Sequence, residues 1–177
     1  METLKSVIVC VLQPAVMRIL ATGTLEPKSS HNFERGLETT VKGRYNALRH
    51  SASVLAESTE KNRSIIGLSS IFAEDGQKGH IAYSAYLGAL NSMLLPAARD
   101  LSQFGIRVNN ILVGFFESEK GLGSQPVALK EGICNMIPTP KRLGQYKDFS
   151  HTVKYMIENE YLNAVNLRLD GAVRSFP

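Results

Sequence analysis

The chain has 177 residues, of which 44% are hydrophobic and 20% are charged. This composition suffices for one folded domain with a core, and it excludes an intrinsically disordered chain. The net charge of +4 is scattered, with Lys141-Arg142 as the only adjacent basic pair, so we predict no nucleic-acid partner. No apolar stretch is long enough to span a membrane, so we predict no membrane partner either.

Strand-like and helix-like segments alternate along the chain. Four short apolar, β-branched runs are predicted strands: Val7–Leu12, Ser64–Leu68, Arg107–Leu112 and Val165–Leu169. Three stretches with helical spacing of apolar residues lie between them: Asn32–Ser58, Tyr83–Phe104 and Asp148–Asn159. This alternation predicts right-handed crossovers and a parallel α/β sheet.

The segment Gly114–Gln145 carries glycines and prolines and has few periodic apolar positions. A structureless connection of that length is unusual in a compact domain. We therefore expect a substrate-covering flap or a short helical lid, and a flexible surface loop is the equally weighted alternative. The two cysteines, Cys10 and Cys134, lie far apart and show no metal-site spacing, so we predict no metal site. We interpret them as reduced thiols in an intracellular protein.

Several motifs, in a fixed order, carry a family resemblance. They are Ile65-Ile66-Gly67-Leu68-Ser69-Ser70, Ala82-Tyr83-Ser84-Ala85, Gly105-Ile106-Arg107-Val108-Asn109, Arg142-Leu143-Gly144 and Leu167-Arg168-Leu169-Asp170-Gly171. The chain resembles the short-chain dehydrogenase/reductase family, most nearly its type 2 3-hydroxyacyl-CoA dehydrogenases, which are also described as 17β-hydroxysteroid dehydrogenases. The resemblance implies a partial Rossmann-like doubly wound fold with about four parallel strands and flanking helices. Residues 1–177 would form the C-terminal half of one domain, with the N-terminal βαβ units missing.

The resemblance also assigns catalytic positions. In the family a tyrosine exchanges a proton with the substrate oxygen, a serine hydrogen-bonds that oxygen, and a lysine four residues later lowers the tyrosine pKa. Tyr83 and Ser70 match the tyrosine and the serine, but Leu87 stands at the lysine position. The family's asparagine falls at Thr40. We interpret Ser70 and Tyr83 as vestigial.

The cofactor positions are less well matched. The family binds NAD at a Gly-x-x-x-Gly-x-Gly turn, whose glycines let backbone amides approach the pyrophosphate, and no such turn occurs in these residues. The family's Asn-Ala-Gly signature is absent near Val11-Leu12-Gln13-Pro14. Gly114 and Ser118 are the candidate cofactor-binding residues that remain. We expect no cofactor, or NAD if there is one.

The resemblance implies better-preserved association surfaces. In the family the two long helices form an interface with a second subunit, and the last strand and tail form another. We therefore predict a pseudoenzyme that forms a homo-oligomer, or a hetero-oligomer with intact relatives. The alternative is an NAD-dependent oxidoreductase acting on 3-hydroxyacyl-CoA or hydroxysteroid substrates. The family resemblance suggests mitochondria, and otherwise the cytoplasm.

Overall fold

The structure is a computed structural model that describes residues 6–9, 31–118 and 122–174, with only the backbone of residues 6–9 and 32. Four parallel strands form one sheet in the order β1 (Ser6–Val9), β2 (Arg63–Ser70), β3 (Ile106–Val113) and β4 (Asn166–Leu169). The predicted α/β class with parallel strands and flanking helices is confirmed. Cys10, the end of the first predicted strand and the segment Val11–Pro14 lie outside the described residues.

Six α-helices are described in these ranges. They are α1 (His31–Gly36), α2 (Gly43–Ala56), α3 (Ile81–Ser92), α4 (Leu94–Leu101), α5 (Val127–Met136) and α6 (Tyr146–Glu158). The predicted helix Asn32–Ser58 is real but contains a π-helical segment, Leu37–Lys42, between α1 and α2. In the described part of the chain, no helix is both long and apolar enough to cross a membrane.

The predicted helix Tyr83–Phe104 divides at Met93 into α3 and α4. Pro96 explains the division, because it has no backbone N–H to donate to the carbonyl four residues earlier. Gly105 then ends the helical stretch with a φ of 63°, a left-handed conformation that glycine adopts without strain.

Neighbouring residues of β2 face opposite sides of the sheet. Ile65 packs with Leu55 and Leu94 of α2 and α4, whereas Ile66 packs with Val153 and Met156 of α6. This alternation is the period of two expected of a strand buried on both faces. The sheet is therefore a central layer between two helical layers, and its carboxyl edge carries Ser70.

Arg107 of β3 fixes the far end of α6. Its guanidinium donates to the carbonyl oxygens of Met156 at 3.0 Å, Ile157 at 3.0 Å and Leu162 at 2.8 Å, and its Nη2 donates to the Asn62 side-chain oxygen at 2.7 Å. The last carbonyls of a helix have no partner within the helix, so this side chain satisfies them from the sheet.

The segment Gly114–Gln145 is partly helical. It contains α5 and a short 3₁₀ turn, Leu122–Ser124. The helix contacts the apolar cluster at the carboxyl end of β3 through Ile133, Cys134 and Met136. The helical alternative therefore describes this segment, and its role as a lid over a substrate stays a prediction.

Candidate functional site

Ser70 and Tyr83 meet at the carboxyl end of β2. Ser70 is the last residue of the strand, and Tyr83 lies in the first turn of α3, after a connection that begins with a 3₁₀ turn at Ile71–Ala73. The Ser70 hydroxyl accepts a hydrogen bond from the Phe72 backbone N–H at 3.4 Å and lies close enough to the Tyr83 side chain to lower the pKa of its phenol. Both residues are buried. The structure thus brings together the two residues that the sequence assigned to catalysis.

The environment of Tyr83 keeps its phenol protonated. Burial raises the pKa of Tyr83 above its usual value of 10.0, and the neighbouring Ser70 hydroxyl lowers it by less. Even an unperturbed tyrosine is only about one part in a thousand phenolate at pH 7. Tyr83 can therefore donate a hydrogen bond or a proton to a carbonyl oxygen, and it is poorly suited to act as a base at neutral pH.

Leu87 lies one helical turn after Tyr83 and is fully buried. It belongs to an apolar cluster with Ala82, Tyr83, Tyr86 and Leu90 of the same helix. Side chains four residues apart share a helix face, so a cation at position 87 would adjoin Tyr83. The leucine instead places an apolar group there, which offers the phenolate no stabilisation.

Tyr86 closes the contact between α3 and α1. Its hydroxyl donates to the Phe33 carbonyl oxygen at 3.0 Å, and its ring lies 5.4 Å from the Phe33 ring, centroid to centroid. A Cβ at Gly36 would lie 2.4 Å from the Tyr86 ring. This interlocking pair escaped the sequence prediction, because a helical glycine and an aromatic residue fifty positions later give no joint pattern.

Thr40 lies in the π-helical segment between α1 and α2 and is fully buried. Its hydroxyl has no hydrogen-bond partner among the described residues, although buried polar atoms are usually paired. π-Helical turns are frequent at functional sites. The position that the sequence assigned to the family's asparagine is therefore a local irregularity with an unsatisfied hydroxyl.

Arg44 follows Thr40 by four residues and crosses β2. Its guanidinium donates to the Asn110 side-chain oxygen at 2.8 Å and to the Leu68 carbonyl oxygen at 3.4 Å. A Cβ at Gly67 would lie 1.2 Å from the Arg44 Nη2 atom. The glycine thus leaves the space on the strand that the buried guanidinium fills.

Gly114 and Ser118 follow β3. A Cβ at Gly114 would lie 2.8 Å from the Asp170 Cα atom, so the glycine is needed for close contact with the segment after β4. The Ser118 carbonyl accepts from Gly123 N–H at 2.9 Å, and Ser118 lines a groove of about 650 Å³ together with Gln145 and Tyr146. The cofactor roles predicted for both residues stay predictions.

The residues around Tyr83 do not fit the nicotinamide ribose of NAD, the cofactor that the family implies. The family's ribose-binding lysine is replaced by Leu87, whose side chain has no polar atom and is enclosed in the apolar cluster. Thr40 offers a hydroxyl but is itself fully buried. No step through this cofactor follows from the described residues.

Arg168 of β4 is a charged centre that the sequence did not single out. It donates to both carboxylate oxygens of Asp75 at 2.8 Å and to Glu74 at 2.9 Å, and it bonds Asp170 at 2.9 Å. These carboxylates raise the pKa of Arg168 above its usual value. The pairing joins residues 93 and 94 positions apart, so only the fold could reveal it.

An open groove of about 610 Å³ runs between α2 and the α3–α4 pair. Its lining is mainly apolar and includes Tyr45, Leu48, Ala52, Met93 and Leu101. The Tyr45 side chain is about half exposed. This groove lies between the two long helical stretches that the family resemblance assigns to subunit association.

The family described as "Enoyl-(Acyl carrier protein) reductase" matches residues 2–172 of the chain. Human 3-hydroxyacyl-CoA dehydrogenase type-2 is 37% identical over 160 residues, covering 88% of this chain and 59% of the relative. The Drosophila melanogaster protein of the same name is 36% identical over 151 residues, covering 82% of this chain and 58% of the relative. The chain thus spans about three-fifths of the length of these relatives.

Among solved structures, 3-hydroxyacyl-CoA dehydrogenase type-2 from Mycobacterium avium superposes with a TM-score of 0.85 at 29% sequence identity. The match covers 96% of this chain and 67% of that one. The arrangement of strands and helices around Ser70 and Tyr83 is therefore shared over nearly the whole chain.

Proposed function

The chain belongs to the short-chain dehydrogenase/reductase family, and we propose that it acts through subunit association and not as a self-sufficient dehydrogenase. The observation that carries this proposal is Leu87, fully buried beside Tyr83 at the family's lysine position. A phenol with a raised pKa, and with no cation beside it in the described part of the chain, is a poor acid–base catalyst at neutral pH. The Ser70–Tyr83 pair is then a retained structural element.

The groove between α2 and α3–α4 supports the association half of the proposal. Apolar grooves on an exposed helical face are typical of protein interfaces. The partner would be a second copy of this chain or an intact relative of the 3-hydroxyacyl-CoA dehydrogenase type-2 kind. Such a relative would place the protein in mitochondria, and otherwise we expect it in the cytoplasm.

Light scattering coupled to size-exclusion chromatography tests this proposal, with the chain alone and mixed with the human type-2 relative. We expect a dimer or larger species, or a mixed species with the relative. Tyr45→Glu places a charge in the groove on a half-exposed side chain and should dissociate the assembly. Tyr161→Glu is the matched control, because Tyr161 is 99% exposed and lies outside the groove. A chain that stays monomeric alone and does not bind the relative in the mixture would refute the association proposal.

The second candidate is an NAD-dependent oxidoreductase acting on 3-hydroxyacyl-CoA or hydroxysteroid substrates. The neighbouring Ser70 and Tyr83 side chains favour it, because both groups could still bind a substrate oxygen. Calorimetry with NADH separates the two candidates. We expect no binding at millimolar NADH, and saturable binding would favour the oxidoreductase.

A further inference from the structure

One guanidinium ties the C-terminal end of the chain to the connection between Ser70 and Tyr83. Arg168 forms a bidentate ion pair with Asp75 of that connection, with both N–O distances at 2.8 Å. It also bonds Glu74 at 2.9 Å and its own neighbour Asp170 at 2.9 Å. Bidentate arginine–carboxylate pairs fix the relative orientation of the two side chains as well as the distance between them.

The position of this connection determines where Tyr83 stands relative to Ser70. Its first turn is anchored by Ile71, which is buried in the cluster at the end of β3, and by Phe72, whose ring lies 6.2 Å from the Tyr83 ring. Asp75 follows directly, with its N–H bonded to the Ile71 carbonyl at 3.0 Å. The ion pair with Arg168 is therefore the next anchor along the path to α3.

The ion cluster is largely shielded from water. The side chains of Asp75 and Asp170 are 13% and 8% exposed, and that of Arg168 is 19% exposed. Without the guanidinium, the Asp75 and Asp170 carboxylates would lose the cation that bridges them, and breaking a shielded ion pair is strongly destabilising. The connection and the segment after β4 would then separate.

We propose that Arg168 is a positioning residue for the Ser70–Tyr83 pair, and that it couples this pair to the C-terminal segment Asp170–Arg174. The coupling acts on the geometry of the pair, whether the pair binds a substrate or only supports the fold. Displacement of the C-terminal segment, as by a partner that binds it, would alter the surroundings of Tyr83. This inference is thus independent of the proposed function.

Fluorine NMR of the full chain labelled with 3-fluorotyrosine tests the coupling. The chain has six tyrosines, and Tyr83→Phe assigns the resonance of Tyr83. We expect Arg168→Gln to shift the Tyr83 resonance while those of Tyr45 and Tyr161 stay in place. A general loss of stability would affect the resonances of all the tyrosines and not that of Tyr83 alone.

Arg174→Gln is the matched control. Arg174 also bonds Asp170, at 3.1 Å, but its side chain is 59% exposed, and among the described residues its side-chain hydrogen bonds reach Asp170 and Val173. Its removal should leave the Tyr83 resonance unchanged. Asp75→Asn removes the other side of the pair and should reproduce the Arg168→Gln shift, so it decides the matter if Arg168→Gln does not fold. An unshifted Tyr83 resonance in Asp75→Asn, or equal shifts of all tyrosines, would overturn the proposal.

Discussion

The Ser70–Tyr83 site and the C-terminal edge of the sheet differ in how they accommodate charge. Tyr83 lies in a cluster of apolar and aromatic side chains that includes the fully buried Leu87. In β4, at the edge of the described sheet, Arg168 is partly buried with carboxylates that bond each side of its guanidinium. The contrast teaches that charged groups in this molecule hold distant segments together, whereas the site that resembles a catalytic centre is built from neutral groups.

The largest expected effect comes from placing a charge in the apolar cluster around Tyr83. Leu87→Lys should lower the free energy of unfolding by about 3–5 kcal/mol, because it buries an uncompensated cation among apolar side chains. Leu87→Met, which conserves volume and polarity, should cost less than about 1.5 kcal/mol. Urea unfolding at fixed protein concentration measures both. A Leu87→Lys variant as stable as the parent would mean that the site already admits a solvated cation.

The next largest effect on stability is expected from steric overlap between α1 and α3. Gly36→Ala should cost about 1–3 kcal/mol because its Cβ would overlap the buried Tyr86 ring. Gly88→Ala is the matched control on α3, where an added Cβ has open space, and it should be neutral or stabilise by up to about 1 kcal/mol. Thermal unfolding compares the two. Equal behaviour of the two variants would contradict the tight contact between α1 and α3.

In the first turn of α6, a pH dependence is expected from Asp148. Its carboxylate bonds Arg142 at 2.7 Å and the Gln145 backbone N–H at 2.9 Å, and these bonds lower its pKa to about 2. Since the folded pKa lies below the unfolded value of about 4, its stabilisation is present above pH 4 and lost as pH falls to 2.

Asp148→Asn should therefore melt at a lower temperature than the parent at pH 6, and the difference should vanish near pH 2. Melting curves across this range measure it. A difference that stays constant down to pH 2 would show that the effect of the substitution does not arise from the charge of Asp148.

The smallest effect is expected where an ion pair is open to solvent. Lys154 and Glu158 are 3.7 Å apart on α6, with side chains 71% and 64% exposed. Glu158→Gln should change the free energy of unfolding by less than about 0.5 kcal/mol. A larger loss, measured by urea unfolding, would mean that the exposure of an ion pair on α6 does not predict its contribution to stability.

Periodicity predicted the layers of the fold well. The apolar runs around Ile65, Val108 and Leu167 became strands, because their burial on the sheet depends on residue type alone. The break at Met93 was missed because Pro96 was read within a continuous helical pattern. The π-helical segment at Thr40 depends on tertiary contacts, which leave no local pattern.

The candidate site was only half predictable. Motif order located Ser70 and Tyr83, which the structure brings together. The pairings of Arg168 with Asp75 and of Tyr86 with Gly36 were not foreseen, because each joins residues far apart in sequence. A single sequence offers no signal for such a pair, although correlated changes among relatives would reveal one.

The crossing of Arg44 over Gly67 limits the order in which substitutions can accumulate. A side chain at position 67 would occupy the space of the guanidinium, so any larger residue there requires a shorter one at position 44. The two positions are thus coupled, and Gly67→Ala should cost less stability in an Arg44→Ala background than in the parent chain.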